Sequence, residues 1–120
     1  MIRVMIADDS DSIRMVLRDI LEIGKHELVG EATNGSEAIE LFIETKPEIL
    51  LLDMAMPKKD GLAALREIIK INPKAKIIMI TATDNQNTIR DCISAGARAY
   101  ILKPFNFQDV LKTITEVVNS

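Results

Sequence analysis

The sequence alternates between short aliphatic runs and longer segments of helical periodicity, and this alternation constrains the fold more than any other feature. The aliphatic runs are Ile2 to Ala7, Leu28 to Ala32, Ile49 to Leu52, Ile77 to Ile80 and Ala99 to Leu102. Each run is followed by a segment whose apolar residues recur three and four positions apart. Parallel strands need helical crossovers, and those helices pack on both faces of the sheet. We therefore predict one α/β domain over residues 1–120, a doubly wound five-stranded parallel sheet with five helices.

Composition excludes several classes of function. The net charge is −3 and the 15 basic residues are scattered, so the electrostatic field that attracts nucleic acid is missing. Cys92 and His26 are the only cysteine and the only histidine, which excludes a disulfide framework and a cysteine or histidine metal cluster. The first apolar run is too short for a signal peptide, and no run approaches membrane length. We expect a cytoplasmic protein that binds neither nucleic acid nor membranes.

Polar side chains follow four of the predicted strands. In open parallel sheets, ligands bind beyond the carboxyl ends of the strands, where the strand order reverses. Asp8 and Asp9 follow the first strand, Asp53 ends the third, Thr81 ends the fourth and Lys103 follows the fifth. Each residue alone has a simpler role, such as a helix cap, a turn acceptor or a solvated lysine. Their convergence at one edge favours a functional site.

Three neighbouring carboxylates repel one another unless a cation offsets their charge. Mg²⁺ suits such a site because it prefers oxygen ligands and is usually held by one or two carboxylates together with phosphate oxygens. Aspartyl phosphate is a known covalent species, and phosphoryl transfer depends mainly on positioning and charge stabilisation. Asp53 is therefore predicted to act as a nucleophile toward phosphorus, stabilised by Lys103 and Thr81.

Four motifs occur in order at the strand ends: Asp8-Asp9, residues 51–61, Thr81-Ala82 and residues 96–105. In this combination the chain resembles the receiver domain of two-component response regulators over its whole length. The resemblance implies a flavodoxin-like (CheY-like) fold with strand order 2-1-3-4-5. It also implies that a histidine kinase phosphorylates Asp53.

The family pattern implies a role for each matched position. Asp9, assisted by Asp8, would hold Mg²⁺ together with Asp53 and the backbone carbonyl of Ala55. Lys103 would pair with the phosphoryl group, Thr81 would donate a hydrogen bond to it, and the backbone of Ala55 and Ala82 would bind it.

The resemblance further implies a conformational switch. Thr81 would move toward the phosphoryl group, and Tyr100 would turn inward to fill the space that Thr81 leaves. Tyr100 also fits a strand aromatic whose hydroxyl reaches solvent. Ala55 and Thr83 occupy the two variable positions that tune dephosphorylation, and the Lys103-Pro104 peptide bond is expected to be cis.

No effector segment follows the fifth helix in the sequence, so we expect a monomeric, stand-alone receiver similar to the CheY-like chemotaxis group. The implied partners are a CheA-like histidine kinase and a motility or adaptor protein. The downstream protein would bind the face formed by helix 4, strand 5 and helix 5. Residues 12–21 would form the first helix and dock the kinase's phosphohistidine domain, with Arg14 and Arg18 pointing outward.

Three other functions are consistent with parts of the pattern. A phosphorelay intermediate would use the same site to pass the phosphoryl group to another histidine. A small phosphatase of the haloacid dehalogenase type would need an early Asp-x-Asp motif, which Asp8-Asp9 does not match. A flavin carrier would need a non-acidic loop after the first strand. We expect a phosphoacceptor switch that catalyses only its own phosphorylation and dephosphorylation, rather than an enzyme with other substrates.

Overall fold

The computed structural model describes residues 1–120 and confirms the predicted alternation of strands and helices. The strands are β1 (Arg3–Ala7), β2 (Glu27–Ala32), β3 (Ile49–Asp53), β4 (Ile77–Thr81) and β5 (Ala99–Leu102). The helices are α1 (Asp11–Ile23), α2 (Gly35–Thr45), α3 (Gly61–Ile71), α4 (Gln86–Ser94) and α5 (Phe107–Val118). All strand pairs are parallel, and the order across the sheet is β2-β1-β3-β4-β5. The predicted order is thus confirmed, and the strand order reverses between β1 and β3.

Side chains of the central strands alternate between two apolar layers, as the pleat of a strand requires. One layer contains Val4 and Ile6 of β1 and is covered by α1 and α5 through residues such as Leu17 and Ile114. The other layer contains residues such as Met5 of β1 and is covered by α2, α3 and α4. Both faces of the sheet are therefore buried, which explains why the central strands show no polar alternation in the sequence.

The helix N-termini are capped by short polar side chains that accept a backbone N–H of the first turn. The Oγ of Ser10 accepts the N–H of Ile13 at 3.2 Å, and Asp60 accepts the N–H of Ala63 at 2.8 Å. Asn34, Asn85 and Asn106 cap the other three helices in the same way. Because Ser10 caps α1, neither Asp8 nor Asp9 is used for that purpose.

The Lys103-Pro104 peptide bond is cis, as expected. None of the helices is both long and apolar enough to cross a membrane.

Candidate functional site

The carboxyl ends of β1, β3, β4 and β5 enclose a cleft of about 450 Å³. Its lining includes every residue predicted for the phosphoryl and metal site: Asp8, Asp9, Asp53, Ala55, Thr81, Ala82, Thr83 and Lys103. Ser10 and Met54 complete the lining and were not predicted. The parallel sheet brings these residues together because all of its strands end at the same edge.

Lys103 joins the carboxylates of two different strands. Its Nζ donates to Oδ1 of Asp53 at 3.1 Å and to Oδ2 of Asp8 at 3.2 Å. The backbone N–H of Lys103 donates to the carbonyl of Thr81 at 2.8 Å, which extends the β4–β5 pairing and fixes the point from which the side chain reaches inward. Lys103 thus bridges Asp8 and Asp53 within the cleft.

The carboxylates of Asp8, Asp9 and Asp53 offer oxygen atoms that all lie within 4.8 Å of one another. Asp8 and Asp53 are only 1% and 4% exposed, whereas Asp9 is exposed. Three carboxylates therefore face a single ammonium group in a mostly buried cleft. Such an excess of negative charge favours a cation between the carboxylates.

The pKa values of Asp53 and Lys103 reflect this charge imbalance. Burial raises the pKa of Asp53, the negative charge of Asp8 raises it further, and Lys103 only partly offsets both effects. Burial alone would lower the pKa of Lys103, but the carboxylates of Asp53 and Asp8 outweigh it and raise that pKa. Lys103 therefore stays charged, and its single ammonium group leaves two of the three clustered carboxylates uncompensated.

The donor set fits Mg²⁺. The clustered ligands are carboxylate oxygens, which Mg²⁺ prefers, and the cluster contains no imidazole or thiolate that would favour zinc. Ala55, whose carbonyl was predicted as a further oxygen ligand, lies two residues after Asp53 and lines the same cleft.

Thr81, the last residue of β4, and Thr83, two residues later, each accept a backbone N–H of the loop that follows the strand. The Oγ1 of Thr81 accepts the N–H of Thr83 at 3.1 Å, and the Oγ1 of Thr83 accepts the N–H of Asn85 at 3.1 Å. Thr81 is buried and Ala82 is exposed. The Thr81 hydroxyl therefore lies at the cleft but is engaged with its own loop.

Tyr100 lies outside the cleft. Its side chain is 40% exposed and lines a surface groove between β5 and α5 with Leu102, Asp109 and Lys112. This position agrees with a strand aromatic that reaches solvent. The inward position that the resemblance implies for Tyr100 stays a prediction.

Gly61 and Arg14 shape the site, although neither was predicted to belong to it. Gly61 donates its N–H to the carbonyl of Met54 at 2.8 Å, and a Cβ at Gly61 would lie 2.1 Å from the carbonyl oxygen of Asp53. Asp60 caps α3, and Gly61 is the first residue of that helix. Arg14, predicted to point outward, instead donates from Nη1 to the carbonyl of Asp8 at 2.7 Å. Its side chain is only 12% exposed, so the prediction of an outward Arg14 was wrong.

The sequence model of the response regulator receiver domain family matches residues 4–115 of this chain. The chain belongs to this family. It is 44% identical over 115 residues to the chemotaxis protein CheY of Thermotoga maritima, with 96% of each chain covered. It is 41% identical over 117 residues to CheY of Bacillus subtilis, with 98% of each chain covered.

Solved receiver structures share the same fold. A CheX–CheY–BeF3–Mg²⁺ complex from Borrelia burgdorferi contains a chain that superposes with a TM-score of 0.94 at 30% identity. That match covers 97% of this chain and 88% of the other. Receivers are phosphorylation-dependent signalling switches whose acidic pocket binds Mg²⁺.

Proposed function

We propose that this receiver is switched by transfer of a phosphoryl group from a histidine kinase to Asp53. Mg²⁺ would be held by Asp8, Asp9, Asp53 and the carbonyl of Ala55. The observation that carries the proposal is the meeting of three carboxylates and Lys103 in one cleft at the sheet edge.

The reaction requires an ionised Asp53 aimed at phosphorus. A carboxylate oxygen of Asp53 forms the new bond to phosphorus while the bond from phosphorus to the imidazole nitrogen of the donor breaks, and the imidazole keeps the electron pair. Lys103, whose Nζ lies 3.1 Å from Oδ1 of Asp53, favours the ionised form of Asp53 and would pair with an oxygen of the transferred group. When bound, Mg²⁺ supplies positive charge that offsets the charge on the phosphoryl oxygens. Ala55 and Ala82 line the cleft, and their backbone N–H groups would be further donors to the phosphoryl oxygens.

The switch would exchange one hydrogen bond of Thr81 for another. The Thr81 hydroxyl accepts the Thr83 amide in the present state and would donate to a phosphoryl oxygen once Asp53 is modified. Movement of Thr81 would open space for Tyr100, whose side chain now lies on the surface. Because the phosphoryl contacts exist in only one of the two states, phosphorylation shifts the population toward that state.

The output would be chemotaxis or motility. The first relatives named above are chemotaxis proteins, and the Borrelia CheY was crystallised with CheX. Large apolar side chains are exposed along α4, β5 and α5 at Ile93, Tyr100, Leu102 and Phe107, which suits a face that binds a downstream motility or adaptor protein. A CheA-like kinase would supply the phosphoryl group, and residues 1–120 would act as one monomeric receiver domain.

Mass spectrometry of the intact protein after incubation with acetyl phosphate tests the proposal. We expect a single phosphoryl adduct that requires Mg²⁺ and disappears when EDTA is present. The chain should not hydrolyse a phosphate ester with steady turnover, since the proposed activity is limited to its own phosphorylation and dephosphorylation. Sustained turnover of such an ester would instead favour the phosphatase alternative.

A phosphorelay intermediate is the second candidate because it would use the same cleft. Phosphoryl transfer from the modified protein to a second histidine-containing domain would support it. Retention of the phosphoryl group in that mixture would support the chemotaxis role.

Replacing Ala55 with asparagine is expected to change the rate of autodephosphorylation by about tenfold, which is less than a full general acid–base contribution. Ala55 lines the cleft and has no polar side-chain atom that could orient an attacking water, whereas asparagine supplies both a donor and an acceptor. The rate is measured by following loss of the adduct after acetyl phosphate is removed. Identical decay curves for the two proteins would contradict the tuning role.

A further inference from the structure

We propose that Arg14 is a positioning residue that orients the acidic loop after β1 and thereby sets the affinity of the site for Mg²⁺. This inference rests on the proposed function, because it concerns the same metal site. Arg14 acts through the backbone of Asp8 and touches neither the metal nor the phosphoryl group.

The guanidinium of Arg14 is held from three directions. Nη1 donates to the carbonyl of Asp8 at 2.7 Å, Nη2 pairs with the carboxylate of Asp11, and Nε lies 3.3 Å from Oε1 of Glu31. A planar guanidinium can make these contacts together because its donors are fixed in a fork. With only 12% of its side chain exposed, Arg14 is a part of the loop's support rather than a solvated surface residue.

Every polar atom of Asp8 has a partner. Its N–H donates to Ala32 at 3.0 Å, Oδ1 accepts the N–H of Ser10 at 2.9 Å, and Oδ2 accepts from Lys103 at 3.2 Å. The carbonyl of Asp8 accepts from Nη1 of Arg14, which joins Asp8 directly to α1. Asp8 is thus fixed in position at all four groups.

The bond from Arg14 also determines the geometry of Asp9. The carbonyl of Asp8 and the N–H of Asp9 belong to one planar peptide group, so holding that carbonyl fixes the plane from which Asp9 projects. Asp9 is the exposed member of the carboxylate cluster, and its direction depends on this backbone more than on packing. Loss of the Arg14 contact should therefore misplace a metal ligand without removing it.

If Arg14 acted only through its charge, its removal would change the Mg²⁺ affinity in the opposite direction from the change expected if it positions the loop. Arg14 is a cation close to a cation-binding site, so its removal should strengthen Mg²⁺ binding if only its charge matters. If Arg14 positions the loop, removal should weaken binding. Arg18 provides a matched control, because its Nη1 pairs with the same Glu31 at 2.9 Å while its side chain is 44% exposed and makes no hydrogen bond or ion pair with Asp8.

The experiment titrates Mg²⁺ into the full chain and follows amide chemical shifts by two-dimensional NMR for the wild type, Arg14→Ala and Arg18→Ala. We expect Arg14→Ala to raise the Kd for Mg²⁺ by about tenfold, as for other residues that orient metal ligands. Arg18→Ala should stay within about twofold of the wild type, as expected for an exposed ion pair. Equal affinities of the two variants, or tighter binding by Arg14→Ala, would overturn the inference.

Thermal unfolding in EDTA establishes that each variant is folded at the temperature of the titration. If Arg14→Ala does not fold, Arg14→Lys and Arg18→Lys take its place, since lysine keeps the charge but cannot form the three-way fork. Weaker Mg²⁺ binding by Arg14→Lys, with wild-type affinity in Arg18→Lys, would then support the inference. Unchanged Mg²⁺ binding by Arg14→Lys would overturn it. Absence of Mg²⁺ binding by the wild type would overturn the proposed function as well, which distinguishes the two failures.

Discussion

Replacing Asp53 with asparagine is expected to abolish phosphoryl uptake and, at the same time, to stabilise the metal-free protein. Uptake is lost because an amide oxygen is not a useful nucleophile toward phosphorus. Stability rises because burial and the charge of Asp8 oppose ionisation of Asp53, and asparagine resembles the neutral acid. Lys103 is not left unpaired, since it keeps its contact with Asp8 at 3.2 Å. We expect a gain on the order of 1 kcal/mol in the free energy of unfolding, as is common for a single stabilising substitution.

The stabilisation by Asp53→Asn should increase as the pH rises. The pKa of Asp53 is raised in the folded protein, so the folded state binds a proton at this site more tightly than the unfolded chain does. The contribution of Asp53 to stability is therefore fully present below its unfolded pKa and is lost as the pH rises through its folded pKa. The advantage of Asp53→Asn over the wild type should be small at low pH and should grow toward neutral pH.

Urea denaturation of both proteins in EDTA, between roughly pH 4 and pH 7, measures this difference across the range where carboxyl groups titrate. Asp19→Asn is the matched control, because Asp19 is an exposed residue of α1 outside the cleft. That variant should keep both phosphoryl uptake and wild-type stability. A destabilised Asp53→Asn protein, or a difference from the wild type that shrinks as the pH rises, would contradict the electrostatic account of the cleft.

Replacing Gly61 with alanine is expected to impair both the fold and the site. The added Cβ would lie 2.1 Å from the carbonyl oxygen of Asp53 and 2.8 Å from Cα of Met54, and these backbone atoms cannot rotate away. Alanine normally stabilises a helix by up to about 1 kcal/mol relative to glycine. Overpacking costs about 1 to 3 kcal/mol or more, so the clash should outweigh that gain. We expect a net loss of roughly 1 to 2 kcal/mol and at least tenfold slower phosphorylation.

Gly30→Ala is the matched control for this substitution. A Cβ at Gly30 would meet Cγ2 of Thr45 at 3.5 Å, which is ordinary van der Waals contact. Gly30 lies in the edge strand β2, away from the cleft. This variant should keep wild-type phosphorylation and should lose little stability or gain some, because alanine is less costly than glycine to order in a strand. Equal behaviour of Gly61→Ala and Gly30→Ala, in unfolding and in acetyl phosphate labelling, would contradict the proposed steric role.

The fold could be predicted from the sequence because its pattern depends on local rules. The apolar runs and helical spacings indicate elements that agree with the observed ones to within about two residues at most ends. The strand order came from the resemblance to receivers, since periodicity alone does not order the strands of a parallel sheet. The site residues could be predicted because strand ends share one edge, which places Asp8, Asp53, Thr81 and Lys103 together whatever their rotamers.

The remaining features depend on tertiary geometry that the sequence pattern does not contain. Arg14 occupies a position on α1 that spacing alone could not distinguish from the outward Arg18, and its inward direction depends on the partners at Asp8 and Glu31. The close approach of Gly61 to Asp53 depends on how the loop after β3 folds back, and the Asp60-Gly61 pair indicates only a helix start. The proposed movement of Tyr100 requires a second conformational state, which one structure does not contain.

The central claim is that Asp53 receives the phosphoryl group, and mapping the modified residue tests it most directly. Reduction of the protein with borohydride after acetyl phosphate treatment converts an aspartyl phosphate into a stable homoserine, which tandem mass spectrometry can locate. Trypsin is expected to release residues 4–14, which contain Asp8 and Asp9, separately from residues 26–58, in which Asp53 is the only aspartate. We predict that homoserine appears only at residue 53 and only when Mg²⁺ was present. Modification within residues 4–14, or an unmodified Asp53 in protein that carries the phosphoryl group, would contradict the account.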